Sequence, residues 1–200
     1  MSSRFNLQPD QRFSSLREHL NERVREAAGA LAAETFADLF DPLMRLTTQD
    51  AFDAVQAHEG TIWLLDTPEE FLVPAYNTGP NADQLVNRFR QPLTSGLISL
   101  VFRNGQSFCE NEVYRNAQQD TTLDSKLKVL TCAMIAVPLY FAQNVRGVIS
   151  CVQLKAADTA VPDPPGFPPS AIHRIETLSA TLGRLLDLTL VGTTVGWRMR

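Results

Sequence analysis

One stretch constrains the fold more than any other. Cys132 to Phe141 and Val145 to Lys155 read as two β-strands joined by Ala142-Gln143-Asn144, a connection of hairpin length. Through Ala133-Met134-Ile135-Ala136-Val137 the chain is apolar at every position. A strand that is apolar on both sides needs cover on both sides. The sheet built on this hairpin therefore lies between two layers.

The flanking sequence supplies candidates for those layers. From Asp10 to Leu39, apolar residues at Leu16, Leu20, Val24, Ala27, Leu31, Phe36 and Leu39 step mostly by 3 or 4, the spacing of one helical face. A continuous helix of that length would be about 40 Å long, which predicts that part of it packs on a second subunit. Asp41-Pro42 interrupts the pattern. A short helix is expected from Thr48 to about Ala57, capped by Thr47 or Thr48 and ending near Gly60. Thr61 to Leu65 and Phe71 to Tyr76 read as a strand pair, and Asn77-Thr78-Gly79-Pro80 as a break. Leu97 to Phe102 reads as a short helix closed by Asn104-Gly105. Residues 156–169, with five prolines from Pro162 to Pro169, read as a stiff connector. Ser170 then opens a final helix whose Ile175, Leu178, Leu182, Leu185 and Thr189 step 3, 4, 3, 4, a coiled-coil seam. The expected organisation is an N-terminal dimerisation or signalling helix over 1–40, one α/β domain over 41–190, and a frayed tail over 191–200 marked by Gly192 and Gly196.

Charge and composition exclude several functions. The formal charge is −4, and no Lys/Arg cluster forms a stripe that could track phosphates, so neither nucleic acid nor an anionic membrane is the expected partner. Cys109, Cys132 and Cys151 are odd in number and widely spaced, which fits a reducing cytosol better than a disulfide framework. The N-terminus lacks the apolar core of a signal peptide, and no apolar run approaches the roughly 20 residues of a membrane span. A cytoplasmic location is expected. His19, His58 and His173 lack metal-ligand spacing, and no GxSxG, P-loop or GxGxxG segment occurs. No metal and no catalytic set is expected. Glu110, Glu112, Asp120 and Asp124 are loop acids that could frame a ligand or simply face solvent.

Several segments taken in order resemble the GAF domain family. His58-Glu-Gly-Thr-Ile-Trp-Leu-Leu-Asp66 is similar to its first strand, and Gly96-Leu-Ile-Ser-Leu-Val-Phe-Arg-Asn-Gly-Gln106 to a helix bounded by glycines. Phe108-Cys-Glu-Asn-Glu-Val113 occupies the place of the segment after that helix. Met134-Ile-Ala-Val-Pro-Leu-Tyr140 with Val145-Arg-Gly-Val-Ile-Ser150 is similar to the family's "VPL…GV" hairpin. Proline is tolerated in Val137-Pro138-Leu139 only where that position lacks a ladder partner. Gly147 is read as opening the next strand after a tight turn. The resemblance covers roughly residues 40–190. It implies a central antiparallel sheet with the terminal helices on one face and a small-molecule pocket on the other.

The chemistries found within that family can be compared with these residues. Lys155 and Phe167 match fragments of the cyclic-nucleotide pattern, most of which is missing. No Cys-His pair offers a bilin attachment site. The free methionine sulfoxide reductase branch needs a nucleophilic thiolate and a resolving cysteine in the pocket loops, and the loop ahead of Gly96 has no cysteine. The resemblance thus implies a regulatory sensor binding an unidentified small molecule, with no cofactor assigned. The alternatives are a dimerisation or protein-interaction module with a filled core, and the reductase. By position, Trp63, Tyr76, Phe89, Leu97, Val101, Phe108, Leu127, Met134, Ala136 and Gln153 are the candidate pocket lining, with Arg88, Arg90 and the loop acids as further polar groups. Leu20, Val24, Leu31, Ile175, Leu178, Leu182 and Leu185 are the candidate interface of a homodimer, which could pass its signal to a separate effector protein.

Overall fold

The computed structural model describes residues 10–66, 70–157 and 160–197. Six antiparallel strands form one sheet in the order β3-β2-β1-β6-β5-β4. These are β1 (Glu59–Leu65), β2 (Phe71–Asn77), β3 (Gln91–Pro92), β4 (Phe108–Asn111), β5 (Val129–Phe141) and β6 (Asn144–Ala156). β1 and β6 are the middle strands, and the hairpin β5–β6 is the longest pair, 13 residues in each strand. Its turn is Ala142-Gln143, with φ of 48° and 66°, the left-handed pair that a two-residue hairpin uses.

Two apolar layers cover the sheet, one on each face. Ile62, Leu64, Ile135, Val137, Leu139 and Ile149 pack under the terminal helices. Trp63, Leu72, Met134, Ala136 and Val148 pack under the shorter helices of the middle of the chain. Strand alternation puts neighbours such as Ile62 and Trp63 on opposite sides.

The N-terminal stripe forms two helices rather than one. α1 (Ser14–Gly29) stops, Ala32 is extended, and α2 (Ala33–Leu39) restarts the helix. Thr35 Oγ1 accepts from Ala32 N–H at 3.3 Å and secures the restart. The bend lets α2 bury Phe36, with Phe40 just beyond it, against the sheet, which a straight helix could not do. α3 (Pro42–Ala54) begins at the proline that was expected to interrupt. Asp41 caps it by accepting from Met44 N–H at 2.8 Å, and proline suits the first helical position, where no intrahelical N–H bond is needed. Gly60 lies within β1 rather than at a helix end.

α7 (Ala171–Thr194) runs past the expected boundary, through Gly192. Its 3–4 seam packs on the chain's own sheet. Ile175, Leu178 and Leu182 are buried there, and Val24 of α1 joins the same core. These four are therefore not available to a partner. Leu20, Leu31 and Leu185 are half-buried. A seam predicts a mating surface without saying which one, and here the mate is β5. An added Cβ at Gly183 would stand 2.1 Å from the Tyr140 carbonyl oxygen, so helix and strand meet backbone to backbone.

Gly147 also has a different role from the expected turn. It pairs with Leu64 inside β6, and an added Cβ would stand 2.1 Å from the Trp63 carbonyl oxygen. Pro138 pairs with Val148 of β6 but lies beyond the last β4–β5 pair, Phe108–Ala136, so it lacks a partner on the β4 side, and its carbonyl accepts from the Ser179 hydroxyl. The proline-rich connector is pinned down. Gly166 N–H donates to Gln153 Oε1, Phe167 N–H donates to Asn111 Oδ1, and the Phe167 ring is buried.

Candidate functional site

A cavity of about 60 Å³ opens on the sheet face away from the terminal helices. Its floor is Thr61 and Trp63 of β1, Thr131 and Met134 of β5, and Ser150 and Val152 of β6. Leu85 of α4 (Ala82–Leu85), Leu97 and Ile98 of α5 (Leu97–Asn104), and Leu123 and Leu127 of α6 (Thr122–Leu127) close over it. α5 ends at Gly105, whose φ of 64° is the left-handed cap expected there. The volume is room for roughly four waters, at the 10–15 Å³ each needs.

The polar wall follows from strand parity. Glu59, Thr61 and Trp63 alternate along β1 onto this face, and Asn77 stands opposite Thr61. Asn77 Nδ2 donates to Thr61 Oγ1 at 2.8 Å, and Asn77 also donates to the Glu59 carboxylate. Trp63 Nε1 donates to Ser150 Oγ at 2.9 Å. Asp124 accepts from the Thr131 backbone N–H at 2.8 Å and hydroxyl at 2.7 Å. Asp120 accepts from Thr122 N–H, Gln91 Nε2 and the Ser95 hydroxyl.

Burial pushes the Glu59 carboxyl above its ordinary value, partly offset by Asn77 and the nearby His58. Burial likewise raises Asp124, and the two bonds from Thr131 oppose it. The bonds from Thr122 pull Asp120 down to about 2, with smaller help from Gln91 and Ser95. The cavity thus has two carboxyls held away from water and a third fixed as an anion at its rim.

Of the residues nominated from sequence, Trp63, Leu97, Leu127 and Met134 line the cavity. Phe89, Val101, Ala136 and Phe108 belong to the apolar layer around it without lining it. Tyr76 and Gln153 lie on the other face of the sheet. A bulge puts Trp63 opposite Pro74 but Ile62 opposite Tyr76, which moves Tyr76 to the helix side. There its ring meets Phe40 at 4.9 Å, with the Arg45 guanidinium 5.8 Å from its centre. Gln153 shares the parity of Ile149 and Cys151, and its amide bridges Gln56 and Gly166. Of the other polar candidates, Arg90 pairs with Asp66, and Arg88 borders a separate groove beside Arg45. Glu110 and Glu112 engage Asn116 and Arg115. Glu59 and Asn77 were missed. A glutamate opening an apolar strand at the parity of Trp63 was the available signal.

None of the three cysteines lines the cavity, and burial raises the pKa of each thiol. Among the described residues, no three His, Cys, Asp or Glu side chains are grouped to hold a metal ion. No helix among them is long and apolar enough to cross a membrane.

A six-stranded antiparallel sheet, terminal helices on one face and a roofed cavity on the other define the class: a small α/β domain built on a single antiparallel sheet. The family model described as GAF domain matches residues 37–187, and the chain belongs to the GAF domain family. Such domains are common in signalling and sensor proteins. No curated protein sequence matches the chain. Among solved structures, the chain is similar to the GAF domain of a phosphoenolpyruvate-protein phosphotransferase from Coxiella burnetii. The TM-score is 0.61 at 14% identity, covering 94% of this chain and 99% of that one. The corresponding domain from Acinetobacter gives 0.58 at 18% identity, covering 92% and 98%. The free methionine-R-sulfoxide reductase of Neisseria meningitidis gives 0.55 at 15% identity, covering 98% and 99%. At these identities the likeness shows the fold.

Proposed function

We propose that this domain is a regulatory sensor of the cytoplasm, in which a small molecule occupies the cavity and the terminal helices report its presence. The observation that supports this most is the cavity itself, an apolar chamber with a few convergent polar groups, the form that ligand sites take. Coupling has a physical basis in the same strands. Trp63, Met134 and Ser150 face the cavity while their chain neighbours Ile62, Ile135 and Ile149 face α7 and the N-terminal helices. A ligand that shifts the strands shifts the base on which α7 rests.

The test is thermal unfolding with a broad panel of metabolites and nucleotides. A ligand at a hundred times its Kd stabilises the native state by about 2.7 kcal/mol, which a melting curve resolves. A panel that leaves the midpoint unchanged contradicts the reading. The reductase alternative predicts turnover of free methionine sulfoxide by the wild-type protein. The absence of a thiol from the cavity favours the sensor over it.

A second reading, a homodimerisation module signalling to a separate effector, draws on one observation. Leu188 and Val191 of α7 and Val195 just beyond its end are 54%, 38% and 52% exposed, at helical spacing. Light scattering should give a dimer for the wild type and a monomer for Leu188→Glu with Val191→Glu. A wild-type monomer across micromolar concentrations overturns the dimer.

A further inference from the structure

The cavity wall has a definite electrostatic sign. Glu59, Asp120 and Asp124 line it, and among the described lining residues there is no Lys, Arg or His. The amide and indole donors whose bonds are set point to wall acceptors: Asn77 to Thr61 and Glu59, Gln91 to Ser95 and Asp120, Trp63 to Ser150. The Thr61 and Ser150 hydroxyls and the Gln119 amide remain as neutral groups. Acceptor capacity is in excess. A carboxylate offers about four lone-pair sites. Glu59, only 7% exposed and lining the cavity, accepts from Asn77. Asp124, 8% exposed, uses one site on each oxygen for Thr131.

No oxygen of either carboxylate is buried without a partner among the described residues, and the lone pairs that remain on them can accept from a guest. An anionic guest would bring a further negative charge against Glu59 and Asp124 and, among the described lining residues, meet no cationic side chain, only the N-terminal end of α5 at Gly96, Leu97 and Ile98. A guest with N–H donors and positive charge completes both carboxylates, and the indole of Trp63 is a further favourable neighbour for a cation. Among the described residues, no three potential ligands are grouped to hold a metal ion, which favours an organic cation over a bare ion. The volume limits its size to a few non-hydrogen atoms.

We infer that the cavity is selective for a small organic ammonium group, bound by Glu59 and Asp124 above the floor formed by Thr61 and Trp63, and that it rejects anions. This rests on the reading of the cavity as a ligand site. It separates this chamber from sites that hold phosphates or carboxylates with Arg or Lys side chains at the wall.

The experiment uses the full chain carrying Trp197→Phe. The sequence has two tryptophans, so this substitution leaves Trp63 as the fluorescent reporter on the cavity. Trp197 itself is largely exposed and away from the site. Three probes of matched size are titrated: propylammonium, propionamide and propionate. The inference predicts that propylammonium changes Trp63 emission and raises the melting temperature. Propionamide should bind at least about tenfold more weakly, and propionate should have no effect. Glu59→Gln should weaken propylammonium by about tenfold and leave propionamide within twofold. Propionate binding as tightly as propylammonium overturns the charge assignment and leaves the ligand-site reading standing. No response to any probe overturns both. Unchanged propylammonium affinity in a folded Glu59→Gln variant removes Glu59 from recognition. Should that variant not fold, the order of the three probes on the parent chain decides the charge assignment by itself.

Discussion

At the scale of single residues, the three cavity carboxyls couple pH to stability with opposite signs. Asp120 has its pKa lowered from 3.8 to about 2, chiefly by its bonds from Thr122. Its contribution is present above pH 3.8 and is lost as pH falls toward 2, because the unfolded chain takes up the proton first. The stability advantage of the wild type over Asp120→Asn should therefore shrink across that window, as read by urea unfolding at several pH values. An advantage that grows as pH falls would contradict it. Glu59 behaves the other way. Its pKa is raised above 4.5 by burial, so the folded state holds the proton more tightly than the unfolded one. Stability then falls as pH rises through the window above 4.5. Glu59→Gln should raise the melting temperature at pH 7 by a few degrees, since about 1 kcal/mol moves the midpoint by roughly 2–4 °C for a chain of this size. A group kept at a cost to stability is what a binding site is expected to contain. A lower melting temperature for Glu59→Gln would mean that the carboxylate holds the fold together instead.

At the scale of elements, Gln153 joins three pieces of chain. Its amide nitrogen donates to the Gln56 carbonyl beyond α3, and its oxygen accepts from Gly166 in the proline-rich connector. Gln153→Ala removes the partners of the Gln56 carbonyl and the Gly166 N–H, on an exposed and a half-buried residue, and should lower stability by roughly 1–3 kcal/mol in chemical unfolding, at about 0.5–1.5 kcal/mol for each bond. It should also speed amide exchange at Gly166 and Phe167, and unchanged exchange there would show that the connector is held by other contacts. Leu182→Ala should cost about 2–5 kcal/mol as a buried large-to-small change, because the α7 seam is core. A near-neutral effect would return that seam to the role of an intermolecular surface.

The same elements show how far the sequence could be read. The β5–β6 hairpin was legible because unbroken apolar character over both strands admits few other structures. α5 was legible from its glycine cap. The break at Ala30–Ala32 was not, because no proline marks it and alanine suits a helix. Its consequence is that Phe36 and Phe40 pack into the core under the sheet. The face of each strand residue follows from alternation until a bulge resets it, which is why Trp63 and Met134 were located and Tyr76 was not. Asp120 and Asp124 were recognised as loop acids, but their convergence with Glu59 depends on α6 packing on β5 and on β1 joining the same sheet through β6, a pairing of long sequence separation that no local pattern records.

At the scale of the whole molecule, the sheet is a shared wall between a chamber and a helical layer. Among the described residues, the polar groups of the chamber side belong largely to one cavity, while the helix side is a continuous apolar core reaching from Val24 to Leu190. A guest can shift this equilibrium only by as much as it prefers one arrangement of the sheet and helices over another. The proposed sensor requires a small molecule in the cavity and a response in α7. Its most direct test is an amide-resolved NMR screen of a small-molecule library containing amines, amides and acids. At least one binder is expected, with perturbations that centre on Thr61, Trp63, Thr131 and Met134 and extend to α7 around Leu178 and Leu182. A library that yields no binder at those residues, or only binders mapping to other surfaces, would contradict it.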